Sequence, residues 1–147
     1  MPPTRANRIA DAIEAIERDV TRLREIRRTS LEEYTAEGNQ DLRDAVERKF
    51  EKLAEATIDA SAQIVKQEGR AVPQTRKDTV TAIEELGIVE PALADKLREA
   101  VGFRDVLAHT YGPIVNDDLV QDALENSLGR YVAFVEAVSD YMTRFDE

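Results

Sequence analysis

Apolar positions recur along this chain at spacings of three and four, the period of a helix that buries one face. Ile9, Ala12, Ile13, Ile16, Val20, Leu23 and Ile26 form the first such stripe and predict a helix that opens on a Thr4 cap and ends near Thr29. The short turn "SLEEY" follows, with Ser30 and Glu33 in capping-box register, and "EGNQ" interrupts it. Leu42, Ala45, Val46, Phe50, Leu53, Ala56, Thr57, Ala60, Ile64 and Val65 predict a second long helix over about 41–68, which Gly69 stops. After "GRAVPQ", Thr75 and Asp78 open a short helix carrying Val80, Ile83 and Leu86, closed by Gly87. Pro91 suits the first turn of the next helix, which runs through Leu93, Leu97, Ala100, Val101, Val106 and Leu107 to His109. "YGPIVNDD" breaks it, and Asn116 or Asp117 can cap a last helix that buries Leu119, Ala123, Leu124, Leu128, Tyr131, Val135, Val138 and Met142. No run alternates with a period of two between turn signals. The expected fold class is therefore all-α, an antiparallel bundle of four to five helices, read as one domain over residues 1–147.

Composition narrows the chemistry. A chain of 147 residues buries roughly 70% of its unfolded surface, so packing can carry its stability. Cysteine is absent, which removes disulfides, zinc-thiolate sites and thiol nucleophiles together. No segment approaches the ~20 apolar residues of a membrane span, so the chain is expected to be cytoplasmic with no membrane partner. Its net charge of -10 opposes long-range steering of a nucleic acid. Arginine outnumbers lysine fifteen to five and the acid excess is dispersed, a pattern suited to a salt-rich cytoplasm in which the global field is screened.

One segment, "VGFRDVLAHTYGP" at 101–113, concentrates candidate chemistry. It holds the only histidine, His109, with Arg104 and Tyr111. Arg104 and Tyr111 are two turns apart on nearly one face, whereas His109 lies roughly 140° round from Arg104 unless the last turn loosens before Gly112 and Pro113. Loosening would bring imidazole toward guanidinium. A guanidinium forks phosphate oxygens and offsets charge building there, and an imidazole passes protons near neutral pH. RNA supplies its own nucleophile, the 2'-hydroxyl, so cleavage needs no metal and leaves a 2',3'-cyclic phosphate. A histidine near a helix end more often complements the dipole, and a tyrosine there more often packs. Composition and spacing leave function undecided between these readings.

The residues also carry a resemblance. Arg104, four residues, His109, one residue, Tyr111 resembles the R-x4-H-x-Y signature of the HepT-like family (DUF86) within the HEPN group of helical ribonucleases. "VERKFEKLAEATIDASAQIV" at 46–65 is similar to that family's second helix and "LADKLREAVGFRDVLAHTY" at 93–111 to its motif helix, a likeness covering about residues 5–141. The resemblance implies an all-helical homodimer with two motifs at one cleft, acting as a metal-independent endoribonuclease toxin without a cofactor. It implies as partner a minimal nucleotidyltransferase (MntA-like) antitoxin that silences the toxin by attaching AMP to the motif tyrosine. Carried over, Arg104 and His109 are catalytic and Tyr111 is the modification site. Asp105 departs from the asparagine common after the arginine; it either orients His109 from one turn earlier or weakens the phosphate site.

Other features have plainer readings. Asp117 and Asp118 sit where a helix start explains them better than a metal dyad, and no histidine or third acid completes a site. The basic pair in "IRR" at 26–28 is a candidate phosphate contact or a helix C-terminal pair. No glycine-rich phosphate loop is present. The alternative to the ribonuclease is a noncatalytic helical module that contacts a nucleotidyltransferase partner or a nucleotide, favoured by Asp105 and the acidic surface.

Overall fold

The computed structural model describes residues 1–29, 31–109 and 113–146. Among them there is no strand. Seven α-helices follow in order: α1 (Pro3–Ile26), α2 (Leu31–Tyr34), α3 (Gln40–Gln67), α4 (Arg76–Glu85), α5 (Pro91–His109), α6 (Pro113–Asn126) and α7 (Gly129–Met142). Side-chain contacts fix their directions. Arg5 at the start of α1 donates to Gln67 at the end of α3, and Asp19 pairs with Lys49 near the other ends, so α1 and α3 run antiparallel. Arg98 of α5 reaches Thr81 and Glu84 towards the end of α4, and Gly102 further along α5 lies beside the Lys77 side chain at the start of α4, a second antiparallel pair. The α7 hydroxyl of Tyr141 donates to Glu68 at the end of α3, at 2.8 Å.

Most positions of the predicted stripes are buried, but Val106 of α5 and Leu119 of α6, both expected on a buried face, are exposed. All of the first stripe is buried except Ile13, which is half-buried, and the α3 stripe is buried from Val46 to Val65 apart from the exposed Ala45 and half-buried Leu42 at its start. Gly69 and Gly87 end α3 and α4 with φ of +77° and +75°. Each closes a Schellman motif: Gly69 N–H donates to Lys66 and Arg70 N–H to Val65, and Gly87 and Ile88 repeat the pattern on Glu84 and Ile83. The Thr75 side chain caps α4 by accepting from Asp78 N–H.

Three local expectations change. Thr4 does not cap α1, because the helix already starts at Pro3, where a ring-fixed φ and a missing N–H suit the first turn. The expected last helix is two helices, α6 and α7, broken at Ser127 and Leu128; Pro113 starts α6 early, so Asn116 and Asp117 lie inside it instead of capping it. The cap expected of Ser30 lies outside the described residues. Arg43, passed over as a polar position of α3, is buried: it donates to the Tyr34 and Ala36 carbonyls and to Gln40, and its Nε lies 3.8 Å from Asp117 of α6. Burial pushes the Asp117 carboxyl up, Arg43 draws it down, and Asp118 adds to the rise.

Phe50 of α3 sets the position of the motif helix. Its fully buried ring meets Phe103, the neighbour of Arg104, edge to face with centroids 5.3 Å apart. Phe50→Ala should cost about 3–5 kcal/mol of unfolding free energy in a denaturant titration. A loss below about 1 kcal/mol would mean that α3 and α5 do not depend on this contact.

Candidate active site

Helix α5 presents Arg104 and Asp105 in its penultimate turn and His109 at its end. Arg104 continues the buried seam of Leu97 and Val101 by steps of four and three, which turns its stem toward α3 and leaves the side chain only 19% exposed. Nη1 donates to Asp105 Oδ1 at 3.3 Å, and Nη2 stands 3.7 Å from Glu55 Oε1 of α3. Nε is buried with no hydrogen-bond partner among the described residues. Glu55 Oε1 is also 3.8 Å from Arg48 Nη1, and Arg48 bonds Glu51 at 3.1 Å. A chain of alternating charges thus crosses from α5 to α3: Asp105, Arg104, Glu55, Arg48, Glu51.

The last turn of α5 does not loosen, since the helix continues through His109. Arg104 and His109 of one chain therefore keep their roughly 140° separation. The exposed imidazole is held by its own helix, with Nδ1 2.9 Å from the Asp105 carbonyl oxygen. A carbonyl only accepts, so Nδ1 carries the hydrogen, and in the neutral ring Nε2 holds the free lone pair. The orienting group is the main chain of residue 105. The Asp105 carboxylate turns to Arg104 instead, so any residue at 105 would hold His109 the same way.

Tyr111, the third member of the motif, lies outside the described residues. Asp117 belongs to the Arg43 cluster, 3.8 Å from its Nε, and no group of three or more His, Cys, Asp or Glu that could hold a metal ion occurs among the described residues. Arg27 and Arg28 are exposed on the turn that closes α1, where the helix dipole favours cations. Glu55 and Arg48 escaped the motif reading because a contact 49 residues away in sequence leaves no local spacing signal. Their only trace is that Arg48, Glu51 and Glu55 share one face of α3.

A profile of the ribonuclease HepT-like family matches residues 16–138, from the middle of α1 to the last turns of α7. The chain belongs to this family. Among relatives of this HepT-like chain, the mRNA nuclease HepT of Shewanella oneidensis is 27% identical over 97 residues, covering 66% of this chain and 72% of that protein. The tRNA nuclease HepT of Aphanizomenon flos-aquae is 24% identical over 139 residues, 95% of this chain and 92% of that protein. The structure of a tri-AMPylated Shewanella oneidensis HEPN toxin in complex with MNT antitoxin superposes with a TM-score of 0.80 at 23% identity, covering 95% of this chain and 99% of that one. The HepT-like chain therefore has the HEPN fold, as the motif resemblance implied.

Proposed function

We propose that this HepT-like chain is the ribonuclease toxin of a cytoplasmic toxin–antitoxin pair, with Arg104 and His109 as its catalytic residues and Tyr111 as the site at which a nucleotidyltransferase antitoxin attaches AMP. Family membership and relatives named as mRNA and tRNA nucleases support the ribonuclease class. A similar fold solved as an AMPylated toxin with its antitoxin supports the pairing. The observation that carries the assignment to these residues is the His109 geometry: Nδ1 tied to the Asp105 carbonyl and Nε2 left to exchange protons.

The 2'-hydroxyl of RNA attacks the adjacent phosphorus, the P–O5' bond breaks, and the products are a 2',3'-cyclic phosphate and a 5'-hydroxyl. An imidazole in its neutral form takes the 2'-hydroxyl proton, and a protonated one returns a proton to the departing 5'-oxygen. Arg104 stabilises the charge on the non-bridging oxygens. These steps use one arginine and two imidazole states, and the intact α5 keeps one chain's arginine and histidine on different faces. A second copy supplies the complement, which supports a homodimer. The grooves along α1 and α7, lined by Ile13, Val132, Val135 and Met142, offer it an apolar face.

The test is cleavage of an RNA oligonucleotide with and without EDTA. Cleavage should persist in EDTA and give cyclic phosphate ends, and light scattering of the same sample should report about twice 16.5 kDa. Activity lost to chelator and restored by magnesium, or a stable active monomer, overturns the mechanism.

A further inference from the structure

We propose that Glu55 is a resting counter-ion of Arg104, which the RNA phosphate displaces, so that this residue of α3 sets how tightly the site takes RNA. The inference rests on the ribonuclease reading above.

Three observations carry it. First, the donors of Arg104 are unevenly committed. Nη1 is bonded to Asp105 of its own helix at 3.3 Å, Nε is buried, and the carboxylate that Nη2 faces among the described residues is Glu55, at 3.7 Å. A fork onto phosphate needs two neighbouring N–H groups, and with Nε buried one of them comes from Nη2, where the phosphate competes with the Glu55 charge for the guanidinium. Second, the pair is built to yield. Its separation exceeds hydrogen-bond length and the Glu55 side chain is 37% exposed, so the contact is loose and screened by water and salt. Phosphate offers two oxygens at hydrogen-bond range against one carboxylate oxygen at a longer distance. Third, Glu55 has somewhere to go. The same oxygen stands 3.8 Å from Arg48, so on losing Arg104 it keeps a cation on its own helix.

The local field agrees. Asp59, one turn further along α3, has its carboxyl pushed up by burial first and by the neighbouring Glu55 second, and drawn down by Arg76. A phosphate arriving at Arg104 meets the same Glu55 carboxylate.

The experiment compares steady-state cleavage of one RNA oligonucleotide by the parent chain, Glu55→Gln and Asp95→Asn at low and high salt. Glu55→Gln keeps the shape and removes the charge. One unit charge about 6 Å from a phosphate in water corresponds to roughly a threefold change in affinity. Glu55→Gln should therefore lower KM about threefold at low salt, leave kcat unchanged, and lose that advantage at about 1 M salt, where the screening length is about 3 Å. Asp95→Asn, which removes an equal charge nine residues earlier on α5 and therefore about two and a half turns away, should leave KM at the parent value. An unchanged or higher KM for Glu55→Gln, an equal gain in Asp95→Asn, or a fall in kcat overturns the counter-ion role while leaving the ribonuclease reading intact. A parent chain that cleaves no RNA overturns both.

Discussion

Arg104→Ala and His109→Ala should each lower RNA cleavage by about 10²–10⁴-fold and abolish growth inhibition, while each variant melts within about 3 °C of the parent. The two halves of this result have separate causes. His109 is exposed and its hydrogen bond among the described residues is to a carbonyl of its own helix, so removing the ring costs little packing. Arg104 contributes more packing, but its ion pairs go to partly exposed carboxylates, whose loss is cheap in water. Neither residue belongs to the apolar core. Cleavage depends on both directly: without the guanidinium the non-bridging oxygens lose their fork, and without the imidazole no positioned group moves the proton. Thermal melting and a fluorescent RNA cleavage assay measure the two halves. Variants that cleave like the parent would leave the helical binding module as the better account, the one that two carboxylates beside Arg104 already favour.

Tyr111→Phe should do the opposite to control and nothing to catalysis. Incubated with its cognate nucleotidyltransferase and ATP, the parent chain should gain the mass of at least one adenylyl group on Tyr111 and lose RNA cleavage. The phenylalanine variant should gain none and stay fully active, because the ring survives and the acceptor hydroxyl does not. One residue, Thr110, separates Tyr111 from His109 in the sequence. A bulky anion attached two positions after the proposed catalytic imidazole should crowd and repel substrate phosphate. Intact-mass and peptide mass spectrometry decide the matter. AMP found on the phenylalanine variant, or none on the parent, removes Tyr111 from this role.

Much of the scaffold was legible before any coordinates, and for a local reason. A helix repeats every 3.6 residues, so the stripes of α1 and α3 state which face is buried whatever they pack against. Gly69 and Gly87 were readable as stops because left-handed backbone excludes most other residues, and Thr75 because its oxygen reaches an N–H three residues on. The candidate motif was readable too, since Arg104 and His109 occupy one short segment whose spacing resembles a signature of the family to which the chain belongs. Where two local signals competed, pattern alone chose badly: Pro113 and Asn116 both mark a helix start, and the earlier one prevailed.

The sequence by itself determined the all-helical class, the buried stripes of α1 and α3 and the helix stops, and it singled out the arginine, histidine and tyrosine as candidates, because each depends on residues within a few positions of one another. Only the tertiary structure decided that Arg43 is a buried link between Tyr34 and Asp117, that α5 stays helical to His109, that the Asp105 carbonyl and not its carboxylate holds the imidazole, and that Glu55 stands against Arg104. Most of these depend on how helices distant in sequence meet, or on which of two oxygens of one residue faces its neighbour. Helical periodicity gives the direction a side chain takes from its own axis; the partner it finds there is set by the packing of another helix.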